Sequence, residues 1–168
     1  MNVFIERKKH ILISLGVCTA NFLLDRLTKV LASSFLDGKS PIRLLYNMVI
    51  LVYQENDGAF LSLGASWHPA LKYALLLFIP VGVCLAAFIY IMFWEQKVKR
   101  AVCIACIIGG GIGNLIDRIF HDFKVIDFMN FGIGNIRTGI LNAADLSVCA
   151  GVVILIIFEW RSESRLTS

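Results

Sequence analysis

Apolar residues along this chain gather into four long runs, each close to the roughly 20-residue length that crosses a bilayer as a helix. The first starts near His10 as ILISLGVCTANFLL and meets Asp25, which predicts a helix over about 10–30. The second, about 71–94, reads LKYALLLFIPVGVCLAAFIYIMFW and is interrupted only by Lys72 and Pro80. The third, about 101–119, runs AVCIACIIGGGIGNLI into a polar group of Asn114, Asp117 and Arg118. The fourth, about 144–160, reads ADLSVCAGVVILIIFEW. Two intervening segments, about 34–66 and 120–141, are too long for minimal turns, and the Val, Ile and Tyr content of RLLYNMVILVYQEN in the first predicts strands. The expected fold is a single membrane domain over residues 1–168: an all-α, four-transmembrane-helix bundle with a small β-rich extracytoplasmic cap.

Composition supports lipid as the solvent. The hydrophobic set makes up 58% of the 168 residues and charged residues 17%, with a mean hydropathy of +0.76, against roughly 45–50% and about 25% in soluble domains. A water-soluble core of this size could not hide so much apolar surface. The net charge is +4, but the 16 Lys and Arg do not form one basic face with interleaved aromatics, so no nucleic-acid partner is expected. They do orient the chain. Arg7, Lys8 and Lys9 precede the first run, Lys97, Lys99 and Arg100 lie between the second and third, and Arg161 and Arg165 follow the fourth. Arg26, Lys29, Lys39, Arg43, Arg118, Lys124 and Arg137 lie in or near the other segments, so a bare count is ambiguous; the tight runs at span ends place both termini in the cytoplasm. The first run has the basic start of a secretory signal, but no small-residue cleavage site follows it, and a retained helix is expected.

Cysteines 18, 84, 103, 106 and 149 all fall within apolar runs, which argues against a disulfide framework. Cys103 and Cys106 have CxxC spacing without a second pair or a His, and read as small buried hydrophobes. His10, His68 and His121 share no metal-ligand spacing and read as interfacial residues; no metal is expected.

Ionisable and amide residues beside membrane runs carry the chemical information, because a charge at a helix centre costs roughly 2.5–3.5 kcal/mol even on the lenient insertion scale. In DRLTK, Asp25 and Lys29 stand at i and i+4 and can pair. Glu55-Asn56-Asp57-Gly58-Ala59-Phe60 reads as a loop whose Gly58 permits a tight turn. GGGIGNLIDR combines close-packing glycines with Asn114, Asp117 and Arg118, whose plain reading is helix packing plus an Asp117–Arg118 ion pair. VIDF places Asp127 alone in an apolar stretch, and LNAAD begins the fourth run with Asn142 at an N-cap and Asp145 three residues on. Two carboxylates at the mouth of a helical bundle, with Asn114, Arg118 and Asn142 available around them, are the parts of an aspartyl hydrolase, because close like charges share a proton. Paired intramembrane acids also mark proton or ion pathways, and a purely structural role is a third reading. A carrier would be expected to place charges mid-span and to show repeated halves. HExxH and GxSxG are absent from the sequence.

These blocks, in this order from Asp25 to Asp145, resemble the bacterial lipoprotein signal peptidases (signal peptidase II). DRLTK is similar to that family's D-x-x-[ST]-K block, GGGIGNLIDR to G-G-x-x-G-N-x-x-D-R, VIDF to V-x-D-[FY] and NAAD to N-x-A-D. The resemblance implies an aspartic endopeptidase of the bacterial inner membrane that removes the signal peptide from diacylglyceryl-modified prolipoproteins, cutting before the lipid-bearing cysteine. It implies Asp127 and Asp145 as the catalytic dyad, with Asp25, Lys29, Asn56, Gly58, Asn114, Arg118 and Asn142 in support or in contact with substrate. It implies water as the attacking species, no cofactor, a monomer embedded in membrane lipid, and a site near the outer leaflet. NDGAF is one residue shorter than the family's N-x-G-[AI]-[AS]-F block, and Leu141 stands where Phe is common before NAAD.

Overall fold

Four helices long and apolar enough to cross a membrane occupy Arg7–Leu36, Pro69–Phe93, Val98–Phe120 and Ala143–Arg161 in the computed structural model. It describes residues 2–59, 63–95 and 97–164; Phe60 and Arg165 lie outside the described residues.

Helix α1 spans Asn2–Leu36, 35 residues or about 50 Å, and so outlasts the roughly 30 Å of bilayer hydrocarbon. It continues past the expected end near residue 30 because nothing breaks it before Gly38. That glycine takes a left-handed φ of 66°, and Lys39 N–H donates to Leu36 O at 3.1 Å. Strands β1 (Ile42–Leu44) and β2 (Val49–Asn56) follow. Their turn places Leu45, Tyr46 and Asn47 at φ of 49°, 52° and 68°, a conformation that costs an L residue roughly 1–2 kcal/mol.

Helix α2 (Pro69–Tyr73) runs through a π-helical turn at Ala74–Phe78 into α3 (Ile79–Phe93). Pro80, at the start of α3, has no N–H to donate and its ring crowds the carbonyl four residues back; the wide turn just upstream accommodates both. Helix α4 (Val98–Phe120) is the central and most buried helix. Strands β3 (Val125–Ile133) and β4 (Ile136–Leu141) and helix α5 (Ala143–Ser164) complete the chain.

The sheet is antiparallel in the order β1-β2-β3-β4. Its central pair joins the two segments between spans, with Gln54 opposite Asp127 and Asn56 opposite Val125. The strands expected from the first segment are therefore half of a sheet whose other half comes from the second. The sheet packs on the far end of α1, where Ala32 and Leu36 bury Phe128.

Glycines let α4 sit against its neighbours. A Cβ at Gly110 would fall 2.5 Å from Ala144 O of α5, and one at Gly113 2.5 Å from Asp25 Oδ2 of α1. At the other end, Arg7 donates to the carbonyls of Met92 and Phe93, both at 2.7 Å, and Arg100 pairs with Glu159. The three basic segments thus gather at one end and the sheet at the opposite one. All five cysteines are free thiols; Cys103 is buried and Cys149 lies on the surface of α5.

Candidate active site

Helix α5 opens with a reciprocal cap. Asn142 Oδ1 accepts from Asp145 N–H at 2.9 Å, and Asp145 Oδ2 accepts from Asn142 N–H at 3.1 Å. The N-cap reading of this segment holds, and the cap leaves two atoms free to work elsewhere. Asn142 Nδ2 donates to Asp127 Oδ1 at 2.6 Å, and Asp145 Oδ1 accepts from Asn114 Nδ2 at 2.9 Å. Asn142 therefore touches both acids. The other oxygen of Asp127 accepts from Asn56 Nδ2 at 2.9 Å across the β2–β3 pair. Asn56 also organises the next turn: its Oδ1 accepts from Gly58 N–H at 3.0 Å, and Arg118 Nη2 donates to Gly58 O at 2.5 Å.

Asp127 and Asp145 open onto one cavity of about 230 Å³, with Asn56, Gly58, Asn114 and Arg118 in its wall. Leu76 of the π-helical turn and Pro80 close its apolar side. Burial, the largest cause, together with the nearby charge of Asp145, pushes the Asp127 carboxyl up to about 6, against the opposing pull of the Asn56 and Asn142 amides. Such a group exchanges a proton near neutral pH. The arrangement provides an acid–base pair, held by neutral donors, beside a space that can take a substrate.

Behind this layer lies a second one made of full charges. Lys29 Nζ reaches Asp25 Oδ2 at 3.0 Å, Asp117 Oδ2 at 2.7 Å and Asn114 Oδ1 at 2.7 Å, which engages all three of its protons. Asn114 Oδ1 also accepts from Asn142 Nδ2 at 3.1 Å. With its oxygen so occupied, Asn114 must turn its amino group to Asp145. Arg26 bridges the two rear acids, at 2.8 Å from Asp25 and 2.6 Å from Asp117. Both rear acids also hold backbone of the front layer: Asp25 Oδ1 accepts from Ala144 N–H at 3.0 Å, and Asp117 Oδ2 from Ile126 N–H at 3.4 Å. Two cations balance two carboxylates, as burial at a membrane helix demands.

All nine residues singled out from the sequence, Asp25, Lys29, Asn56, Gly58, Asn114, Arg118, Asp127, Asn142 and Asp145, converge at this end of the bundle. The expected Asp117–Arg118 ion pair is not formed. Consecutive helical residues point about 100° apart, so Arg118 faces the cavity while Asp117 turns to α1. Arg26, which the sequence reading left unassigned, belongs to the rear layer; its signal was a second cation beside Asp25 in an otherwise apolar helix. The histidines do not converge: His10 is buried at the basic end, His68 caps α2 by accepting from Ala70 N–H, and His121 contacts Glu55. No metal-ligand cluster occurs among the described residues.

Four helices long and apolar enough to cross a membrane carry this cavity at one end of their bundle. Two solved bacterial membrane enzymes share the architecture. One has a TM-score of 0.76 at 23% identity, covering 94% of this chain and 91% of that one; the other has 0.70 at 23%, covering 89% and 91%. A family model described as signal peptidase (SPase) II matches residues 17–161. Relatives named lipoprotein signal peptidase include that of Ralstonia nicotianae, 32% identical over 90% of this chain and 86% of its own. That of Janthinobacterium is 35% identical over 88% and 87%, and that of Borrelia hermsii 30% identical over 86% and 87%. The chain belongs to the signal peptidase II family and is a peptidase.

Proposed function

We propose that this chain is an aspartic endopeptidase that removes the signal peptide from diacylglyceryl-modified prolipoproteins, cutting before the lipid-bearing cysteine, with Asp127 and Asp145 as its dyad. The observation that carries the reading is that these two carboxylates, one on a strand and one on a helix cap, line one cavity and are held by the amides of Asn56, Asn114 and Asn142. Charge-neutral donors fix the position of a carboxylate without committing it to the ionised state, as a cation partner would.

The dyad holds one proton between two carboxyls. The basic member takes a proton from water as its oxygen attacks the scissile carbonyl carbon, and the acidic member protonates the carbonyl oxygen. Collapse breaks the C–N bond with proton transfer to the departing cysteine amine, leaving a new carboxylate on the signal peptide. Asn142, touching both acids, keeps them in register. Asn56 and Arg118 hold the Gly58 turn as the cavity wall, and Asp25, Lys29 and Asn114 support the dyad from behind.

In this reading both termini are cytoplasmic in the bacterial inner membrane, and the sheet and cavity lie at the outer leaflet as an extracytoplasmic cap. The gathering of the basic segments at the opposite end supports that orientation. The working unit in this reading is a monomer. A signal peptide and a diacylglyceryl anchor both deliver the scissile bond to that depth, so lipid attachment supplies positioning. The test offers purified enzyme in lipid a matched pair of substrates with and without the diacylglyceryl group, alongside Asp127→Asn and Asp145→Asn. The expected result is cleavage of the lipid-modified substrate before its cysteine by the parent enzyme alone. Substantial turnover by either Asn variant contradicts the dyad, and equal kcat/KM for both substrates contradicts lipid positioning.

A further inference from the structure

Turns that face water are ordinarily polar, yet the β1–β2 turn is apolar except for Asn47, and the Gly134-Asn135 turn of β3–β4 stands between two exposed isoleucines. The β1–β2 turn exposes Leu45 (69%), Tyr46 (102%) and Met48 (45%), and the paired strand ends at the β3–β4 turn expose Ile133 (70%) and Ile136 (86%). Gly132 N–H donates to Met48 O at 2.9 Å, and Arg137 Nη1 donates to Asn47 O at 2.8 Å. The turns therefore stand side by side, and their five apolar side chains form one patch.

The patch runs on into the lipid-facing flank of α1. At the base of the first hairpin, Ile42 and Leu51 share an apolar groove of about 260 Å³ with Leu31, Phe35, Leu36 and Phe128. Leu31 and Phe35 are exposed members of the apolar span Arg7–Leu36. Exposed Lys39 and Arg43 border the same edge, the pattern of side chains that reach headgroups beside an aromatic at the interface. A second copy of the chain is a poor occupant, because edge strand β1 has only three residues and carries Arg43 at its centre.

We infer that the paired hairpin tips, Leu45, Tyr46 and Met48 with Ile133 and Ile136, are a membrane foot: they enter the headgroup–acyl boundary of the leaflet on the sheet's side. The occupant of the patch is bilayer lipid. Because β3 carries both Ile133 and Asp127, the foot sets the height of the dyad strand over that leaflet. The inference rests on the reading that the four helices cross the bilayer, and its test separates the two.

Full-length Tyr46→Trp and Ile136→Trp variants are reconstituted in phosphatidylcholine vesicles brominated at shallow or at deep acyl positions. The emission of each added indole is taken as the difference from the parent chain, whose own tryptophans are Trp67, Trp94 and Trp160. Both added indoles should emit to the blue of aqueous tryptophan and lose at least half their intensity to shallow bromines, with less loss to deep ones. Water-like emission with no bromine quenching beyond the parent's overturns the foot, provided the exposed span-end residues Trp94 and Trp160 are themselves quenched. If those two are not quenched, the spanning reading fails and takes the foot with it. An added indole shielded from bromolipid and from aqueous iodide alike would show protein covering the patch, which also overturns the inference.

Discussion

Two pairs of carboxylates lie at the same end of this bundle in opposite surroundings. Asp25 and Asp117 are locked to Lys29 and Arg26 in a compact group of four charges. Asp127 and Asp145, one layer forward, take their hydrogen bonds from amides. The rear pair has charge balance, and the proposed mechanism asks no proton exchange of it. The front pair has geometric restraint without a bound cation, which is what proton transfer requires. One lysine links the layers: the same Nζ that neutralises the rear acids fixes the rotamer of Asn114, and through it Asp145.

The largest effect should come from removing proton exchange while keeping shape. Asp127→Asn and Asp145→Asn should each lower kcat by about 10³-fold or more and leave the thermal transition within a few degrees of the parent. A rear-layer substitution should do the reverse. Lys29→Met leaves two buried carboxylates with one cation, and should cost about 3–5 kcal/mol of stability, read as a marked fall in Tm in detergent. If Lys29→Met is as stable as the parent and fails only in catalysis, the division between the layers is wrong.

A smaller change sharpens the comparison. Arg26→Gln removes one rear charge at the partly exposed edge of the group, and should cost about 1–3 kcal/mol of stability, read as a fall in Tm, with kcat within a few-fold of the parent. The double variant Arg26→Gln with Asp117→Asn restores the charge balance and should recover part of that stability loss. Full loss of activity in well-folded Asp117→Asn would move Asp117 from the supporting layer into the reaction.

The smallest effect is on pH dependence. The alkaline limb of kcat/KM should fall as pH rises through about 6, where burial and the Asp145 charge have pushed Asp127. The Asn56 amide pulls that carboxyl down, so Asn56→Ala should carry the limb to higher pH. Stability follows the same proton. A carboxyl raised above its ordinary 3.8 binds more protons folded than unfolded, so stability should decline between about pH 4 and 6 and level off above. Asp127→Asn should flatten that slope.

The membrane spans were legible in the sequence because hydrocarbon imposes length and apolarity on each helix separately. The strand in 42–56 was legible from its β-branched run, and the cap at Asn142 from local chemistry alone. What one segment could not reveal was pairing between segments. The sheet joins residues on either side of two spans, and Asn56 meets Asp127 only because β2 lies against β3. Asp117 was misread for a related reason: adjacency in sequence made Arg118 its natural partner, whereas helical geometry sends the two side chains to different neighbours. Arg26 was passed over because its partners lie partly on a helix about 90 residues away.

The central claim is that the amide-held pair, and not the cation-held pair, carries the exchangeable proton. It is tested most directly by following the infrared band of protonated carboxyl groups in reconstituted enzyme across pH 4 to 9. The expected result is a band that titrates near pH 6, is lost in Asp127→Asn, moves to lower pH in Asp145→Asn, where burial of Asp127 remains and the neighbouring charge is gone, and survives in Asp117→Asn. A band unchanged by the first two substitutions, or removed by the third, would contradict it.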